Sequence, residues 1–237
     1  MHERVAAIIV AAGSSRRMDG RDKLWTPLAH RITLARTIDV FEASPLIDTI
    51  VLVLNPERIP DANILCQQEG WTKIASIVVG GLRRQDSVRI GLDTLAQIDP
   101  LCSWVMIHDG ARPLVTSDVL EAGLEAVREY SAAIAGVPVK DTIKQVQQGL
   151  VHTTLDRSQL WSVQTPQVFS FPLILSAHHT PEAQEDVTDD AVLLERLGHR
   201  VGIFPGSYTN IKITTKEDLV IAEALLRQQE DIDRGTK

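Results

Sequence analysis

The sequence predicts a doubly wound α/β domain with a mostly parallel sheet, and two observations support this class. Apolar runs of strand length alternate with helical patterns along most of the chain. The runs are continuous in apolar character rather than alternating, which is typical of strands buried on both faces of a parallel sheet. Right-handed crossovers then place helices on both faces of the sheet and ligands at the carboxyl ends of its strands.

The first half of the chain alternates regularly between the two kinds of element. The predicted strands are Val5–Ala11, Thr49–Leu54, Ile74–Val79 and Ser103–Ile107. The predicted helices are Thr33–Ala43, Asp61–Glu69, Gln85–Ala96 and Ser117–Tyr130. Thr116 or Ser117 is a suitable N-terminal cap for the last of these helices.

The pattern changes after an apolar run at Ala132–Val137. From Val139 to Trp161 polar and β-branched residues dominate, and Gln148-Gly149 forms a turn between two alternating runs, which predicts a projecting hairpin. The apolar residues of this stretch are too few for a core of their own: Ile143, Val146, Leu150, Val151 and Leu155. Because an isolated hairpin is only marginally stable, we expect residues 139–163 to be a dimerisation arm inserted into one domain that spans residues 1–237. A long surface loop is the alternative.

The α/β pattern resumes after the arm. Helices are predicted at Phe171–His179 and Thr188–Leu197, and a strand at Arg200–Phe204. A last helix follows Thr215, where Thr-Lys-Glu-Asp forms an N-terminal capping box.

Composition and charge exclude several classes of function. Hydrophobic residues make up 44% of the 237 positions and charged residues 23%, as in ordinary globular proteins. The net charge of −7 argues against a nucleic-acid surface, whereas small phosphorylated ligands need only a few local cations. No segment approaches the ~20 apolar residues of a membrane span, and the flanks of the apolar Val5–Ala12 run do not suit a signal peptide. We therefore expect a cytoplasmic protein that does not bind membranes.

The first motif follows the first predicted strand. It reads Ala11-Ala12-Gly13-Ser14-Ser15-Arg16-Arg17-Met18 and closes with Asp22-Lys23-Leu24. Small residues at this point let backbone amides approach a polyphosphate, and Arg17 and Lys23 can neutralise charge on it. The loop is neither G-x-G-x-x-G nor a Walker motif, which disfavours dehydrogenases and P-loop enzymes.

Further motifs follow in order from about residue 5 to residue 220. They are Gly80-Gly81, Arg83-Arg84-Gln85-Asp86-Ser87-Val88, His108-Asp109-Gly110-Ala111-Arg112-Pro113, Pro138-Val139-Lys140-Asp141-Thr142-Ile143-Lys144, Leu155-Asp156-Arg157, Gln164-Thr165-Pro166-Gln167, Thr188-Asp189-Asp190-Ala191 and Asn210-Ile211-Lys212-Ile213-Thr214. Each is weak alone, but together with the first loop they resemble the 2-C-methyl-D-erythritol 4-phosphate cytidylyltransferases of the non-mevalonate isoprenoid pathway.

The resemblance implies a Rossmann-like nucleotidyltransferase fold, a homodimer and a role for several residues of these motifs. The residues that it assigns to CTP are Ala11, Ala12, Gly13, Gly80, Gly81 and Ser87. Those that it assigns to the acceptor, a sugar-alcohol phosphate, are Asp109, Arg112 and Thr142, with Arg157 and Lys212 as clamps on the phosphate. Arg157 would serve the neighbouring subunit's site if the arm crosses the dimer. Arg17 and Lys23 would be catalytic, and Mg²⁺ the cofactor, with Asp109 holding either the ion or the acceptor.

The implied reaction needs no protein nucleophile. A phosphate monoester with a second pKa of about 6 is already largely anionic and can attack the α-phosphorus of CTP in line. The task of the protein is then positioning and charge neutralisation.

Two positions depart from the family pattern, and three alternatives stay open. Asp22 stands where many relatives have Pro, and Leu82 where a polar residue is common; Asp22 could pair with Lys23 or Arg17. The alternatives are a ribitol-5-phosphate cytidylyltransferase, a guanylyl- or uridylyltransferase, and a non-catalytic nucleotide sensor.

Overall fold

The computed structural model describes residues 3–13 and 22–235 of the chain. The strands are β1 (Val5–Ala11), β2 (Pro27–Leu28), β3 (Arg31–Ile32), β4 (Thr49–Leu54), β5 (Ile74–Val79), β6 (Trp104–Asp109), β7 (Ala132–Pro138), β8 (Lys144–Gln147), β9 (Leu150–Thr154), β10 (Trp161–Ser170) and β11 (Gly202–Pro205). The helices are α1 (Thr33–Ala43), α2 (Ile59–Glu69), α3 (Arg84–Ile98), α4 (Ser117–Tyr130), α5 (Phe171–Ala177), α6 (Ala191–Arg196) and α7 (Lys216–Gly235). Every helix predicted from the sequence is present, although α6 is shorter than predicted.

The central sheet has seven strands in the order β11-β7-β10-β6-β1-β4-β5. Strand β1 pairs in parallel with β4 and β6, β4 with β5, and β11 with β7. Because β1, β4, β5 and β6 are parallel, their carboxyl ends lie at the same edge of the sheet. The chain connects to strands on opposite sides of β1, and doubly wound folds bind ligands at the carboxyl ends of the strands beside such a switch point. The predicted mostly parallel α/β fold is confirmed.

Strand β10 was missing from the sequence-based prediction, which ended the arm at residue 163 and placed no strand between it and the helix predicted from Phe171. The strand lies between β6 and β7 and runs antiparallel to both. Two features hide it in the sequence. Pro166 has no amide to donate, and the pairing with β7 shifts register between Val163 and Gln167. In addition, Gln164, Thr165 and Gln167 are buried polar residues, which break the apolar run expected of a central strand.

Helices cover both faces of the sheet because each has one apolar face. On one side, α1 contributes Leu34, Ile38 and Phe41 to the core, next to Leu120 and Leu124 of α4. The other side is formed by α3, α5 and α6, whose core residues include Val88, Leu92, Leu95, Ile174, Leu193 and Leu194. Burial of each such side chain stabilises the fold by about 1.5–3 kcal/mol. No helix among the described residues has the length and the apolar character that a membrane crossing requires.

The arm forms a separate two-stranded antiparallel sheet of β8 and β9. Gln148 (φ 50°) and Gly149 (φ 80°) both have left-handed backbones, the combination that a tight two-residue hairpin turn requires. The predicted turn is therefore confirmed. All residues of β8 and β9 are exposed, so these two strands leave the apolar side chains of Val146, Leu150 and Val151 open to water.

Candidate functional site

Three loops at the carboxyl edge of the sheet line a cleft of about 400 Å³, here called the first cleft. Residues 11–13 come from the end of β1, residues 81–84 from the turn between β5 and α3, and Asp109 from the end of β6. Lys23, Ser87 and Lys212 contribute further polar groups to the lining of this cleft. The first motif and the Gly80-Gly81 motif, which are far apart in sequence, thus lie side by side.

Gly80 allows this close approach of the loops. A Cβ at Gly80 would lie 2.4 Å from Cβ of Ala12 and 2.7 Å from Oγ of Ser87, distances that no real side chain tolerates. Ser87 Oγ also accepts a hydrogen bond from the amide of Gly81 at 3.1 Å and donates to the carbonyl of Arg83 at 3.2 Å. Ser87 therefore fixes the glycine turn that forms one wall of the first cleft.

Asp109 lies at the centre of the site and contacts two cations. Its Oδ2 is 2.6 Å from Nζ of Lys212, and its Oδ1 is 3.1 Å from Nε of Arg84. Burial by itself raises the pKa of the Asp109 carboxyl, but Arg84 and Lys212 outweigh this effect and hold the pKa well below its ordinary value. Asp109 is therefore a carboxylate at neutral pH.

Arg84 joins this pair to a second buried carboxylate. Its Nη1 lies 2.7 Å from Oδ2 of Asp190, which is fully buried. Neither Arg84 nor Asp190 has a role predicted from the sequence, although both lie within the motifs. Arg83 and Arg84 are adjacent, and only the structure shows that Arg83 caps α3 through Asp86 while Arg84 turns toward the site.

A second cleft of about 190 Å³ adjoins the first. Its polar lining includes Arg112, Gln164, Thr165 and Thr188. Three charged residues line both clefts, and we call them the junction residues: Arg84, Asp109 and Lys212.

Two side-chain hydrogen bonds hold the loop that carries Lys212. Arg112 donates from Nη1 to the carbonyl of Asn210 at 2.7 Å, and Asn210 donates from Nδ2 to the carbonyl of Thr165 at 2.9 Å. Burial lowers the pKa of Arg112. Strand β10 and the turn after β6 thus fix the position of Lys212 relative to Asp109.

The remaining predicted site residues lie elsewhere. Thr142 and Arg157 are exposed at the base of the arm, where Arg157 donates from Nη1 to the carbonyl of Lys140 at 2.9 Å. The linings of the two clefts, as the described residues form them, come from other positions of the chain. Arg17 lies outside the described residues.

The two departures from the family pattern also have defined positions. Asp22 accepts a salt bridge from Arg58, with Oδ2 3.0 Å from Nε, a partner that the sequence did not suggest. Leu82 is fully exposed and lines the first cleft.

The described residues offer limited means of holding a metal ion. No group of three or more His, Cys, Asp or Glu side chains is placed to surround an ion in this part of the chain. Asp109 is the carboxylate at the centre of the site, and both its oxygens contact cations. This donor set fits Mg²⁺ bound mainly by substrate phosphates and water, the usual arrangement at phosphoryl-transfer sites.

Comparison with known proteins gives consistent results. The family model described as "IspD: 2-C-methyl-D-erythritol 4-phosphate cytidylyltransferase" matches residues 5–228. The chain is 48% identical over 229 residues to the 2-C-methyl-D-erythritol 4-phosphate cytidylyltransferase of Dehalococcoides mccartyi (strain CBDB1), covering 96% of this chain and 98% of that protein. It is 45% identical over 234 residues to the enzyme of that name from Alkaliphilus oremlandii, covering 96% and 97%.

Solved structures of similar proteins have the same fold. The 4-diphosphocytidyl-2C-methyl-D-erythritol synthase from Anaerococcus prevotii superposes with a TM-score of 0.84 at 30% identity, covering 95% of this chain and 96% of that one. The 2-C-methyl-D-erythritol 4-phosphate cytidylyltransferase from Thermus thermophilus superposes with a TM-score of 0.76 at 28% identity, covering 93% and 98%.

Proposed function

Because the chain belongs to the 2-C-methyl-D-erythritol 4-phosphate cytidylyltransferase family, we propose that it transfers the cytidylyl group of CTP to 2-C-methyl-D-erythritol 4-phosphate. The products are 4-diphosphocytidyl-2-C-methyl-D-erythritol, a precursor of isoprenoids, and pyrophosphate. One observation carries this proposal: two adjoining clefts share a charged boundary formed by the junction residues. A reaction that joins two phosphorylated substrates requires such a boundary, because both must reach the same point.

We assign CTP to the first cleft. Ala11, Ala12 and Gly13 leave backbone groups open to a triphosphate, and the Gly80-Gly81 turn leaves carbonyls open to the exocyclic amine of cytosine. Lys23 lines the same cleft, and with Arg17 it would neutralise the charge that develops on the α-phosphate and on the leaving pyrophosphate.

We assign the acceptor to the second cleft. Lys212 would bind the acceptor phosphate, while Asp109 accepts from the acceptor hydroxyls and Arg112 supports the loop between them. The phosphate monoester is its own nucleophile, so the described residues act by aligning it with the α-phosphorus. Mg²⁺ carried by the triphosphate would supply further charge neutralisation, with Asp109 as its candidate protein ligand.

We further propose that the chain acts as a homodimer in the cytoplasm, where CTP is available. The arm exposes seven large apolar side chains, from 36% for Ile143 to 75% for Leu150, and a second subunit would remove them from water. In such a dimer Thr142 and Arg157 of one arm would complete the second cleft of the other subunit. Thr142 and Arg157, which do not line the clefts of their own chain, would then take part in the reaction of the other subunit.

The deciding experiment is an acceptor panel at constant CTP and Mg²⁺. Pyrophosphate release should require 2-C-methyl-D-erythritol 4-phosphate and should fall to background with ribitol 5-phosphate. Replacing CTP by GTP or UTP should also abolish release. Turnover with ribitol 5-phosphate alone, turnover with another nucleotide, or CTP binding without turnover would each contradict the proposed function.

A further inference from the structure

We propose that Arg84 is a positioning residue that fixes the junction between the two clefts by bridging the buried carboxylates Asp109 and Asp190. This inference rests on the proposed function only in taking the junction as the place where the two substrates react. Arg84 would act through Asp109 and Lys212.

The contacts of Arg84 join three separate elements of the fold. Arg84 is the first residue of α3, Asp109 is the last residue of β6, and Asp190 directly precedes α6. One guanidinium reaches both carboxylates, through Nε to Asp109 at 3.1 Å and through Nη1 to Asp190 at 2.7 Å. A planar fork of fixed geometry therefore sets the spacing of three elements at the point where the clefts meet.

Asp190 also contacts β10 and a buried histidine, and can serve as an anchor. Its amide donates to Oε1 of Gln167 on β10 at 3.2 Å, and its Oδ1 lies 3.4 Å from Nε2 of the buried His178. Asp190 is fully buried and does not line either of the two clefts formed by the described residues. Asp190 therefore holds Arg84 from a position outside both clefts.

The charge balance explains why the bridge matters for a phosphate substrate. Asp109 attracts Lys212, and the same ammonium group would have to bind the acceptor phosphate. Because Arg84 occupies Oδ1 of Asp109 and neutralises much of its charge, Lys212 can turn toward a phosphate without leaving a bare carboxylate beside it. Without Arg84, two buried carboxylates would repel the incoming anion and hold Lys212 back.

Two substitutions separate charge from geometry. Arg84→Lys keeps the positive charge but cannot bridge both carboxylates, and Arg84→Gln removes the charge. Arg4→Lys is the matched control, because Arg4 Nε contacts both oxygens of the buried Asp99 at 2.8 and 2.9 Å. Arg4 precedes β1 and therefore lies at the opposite edge of the sheet from the clefts.

We expect Arg84→Lys to lower kcat about 10- to 100-fold, the range typical of outer residues that orient the ligands of a site. Arg84→Gln should lower kcat at least as much and should also raise KM for the acceptor by about 10-fold or more, while KM for CTP changes less. Arg4→Lys should leave kcat and both KM values near those of the unmodified protein. Tm, measured for all three variants, accounts for any loss of folded protein.

The inference is overturned if the folded Arg84 variants keep normal kcat and acceptor KM, or if they lose activity only in proportion to unfolded protein. A variant of Arg84 that does not fold is replaced by Asp190→Asn, which removes the anchor and should also lower kcat. The acceptor panel on the unmodified protein tests the proposed function separately. If that panel selects ribitol 5-phosphate, the proposed function fails, and the variants are then measured on ribitol 5-phosphate with the same expectations.

Discussion

The clefts and the arm differ in where their side chains find partners. At the clefts, Arg84 is paired inside the chain with Asp109 and, beneath the cleft lining, with the buried Asp190. On the arm, Val146, Leu150 and Val151 are 55–75% exposed, and the exposed guanidinium of Arg157 donates to the carbonyl of Lys140 at the base of the arm. The pairs at the clefts are therefore formed by folding of one chain, whereas the exposed side chains of the arm are the surface that the proposed homodimer would cover.

The largest effect is expected at Lys23, which lines the first cleft. Lys23→Ala removes a cation that would stabilise charge on the phosphates in the transition state, so kcat should fall about 10²- to 10³-fold. Steady-state rates of pyrophosphate release measure this change. Lys73→Ala is the control, because Lys73 Nζ donates to the carbonyl of Ser44 away from the clefts. A near-normal rate in folded Lys23→Ala would remove Lys23 from the mechanism.

The next effect tests whether the arm serves a second subunit. Arg157→Ala and Lys212→Ala should each inactivate the homodimer. A heterodimer of the two variants, purified through two different tags, should recover about half of the normal turnover, because one of its two sites has both residues.

A second heterodimer provides the control for that experiment. It pairs the unmodified chain with a chain that carries both substitutions, and an arm that crosses the dimer leaves neither site complete. If the second heterodimer is half active and the first is inactive, Arg157 acts within its own chain and the proposed exchange of arms is wrong.

Two glycines give a smaller and more local contrast. Gly80→Ala would force a Cβ against Ala12 and Ser87, which should destabilise the fold by about 1–3 kcal/mol and raise KM for CTP. Gly149→Ala meets open space but sits at φ +80°, so backbone strain should cost about 1 kcal/mol and leave KM for CTP unchanged. Denaturant titration and steady-state kinetics measure both effects. A normal KM for CTP in Gly80→Ala would show that the contact between the two loops does not matter for the nucleotide.

The contrast between the two regions also explains what the sequence could predict. Some signals in the sequence are local, namely the continuous apolar runs of β1 and β4 and the Gln148-Gly149 turn. The parallel strands that carry the site and the hairpin of the arm could therefore be predicted from the sequence. Strand β10 and the Arg84–Asp190 bridge depend on pairings between distant segments. Pro166 interrupts the sequence pattern expected of a strand. The local sequence also does not distinguish Arg84 from its neighbour Arg83. Sequence motifs thus indicate which residues gather at the site, whereas their ionic partners are a property of the folded chain.

A last effect, seen only below neutral pH, concerns the free energy of unfolding. His108 is fully buried between Thr165 Oγ1, 3.1 Å from its Nδ1, and the carbonyl of Arg112, 3.2 Å from its Nε2. Burial lowers the pKa of His108 from 6.5 to about 4. Between these two values the unfolded chain binds a proton that the native state does not bind, so the native state loses stability as the pH falls from 6.5 to 4.

This loss can be measured as a difference between two variants. The free energy of unfolding should fall by up to about 2–3 kcal/mol over that range because of His108. His108→Gln should remove this part of the pH dependence, and His152→Gln on the exposed β9 controls for the loss of one histidine. Urea titrations at pH 7 and pH 4.5 give the change in the free energy of unfolding with pH for each protein. An equal change in the free energy of unfolding for the unmodified protein and His108→Gln would mean that the buried ring takes up a proton in the native state. The turn that carries Asp109 would then be more accessible to water than the burial of His108 implies.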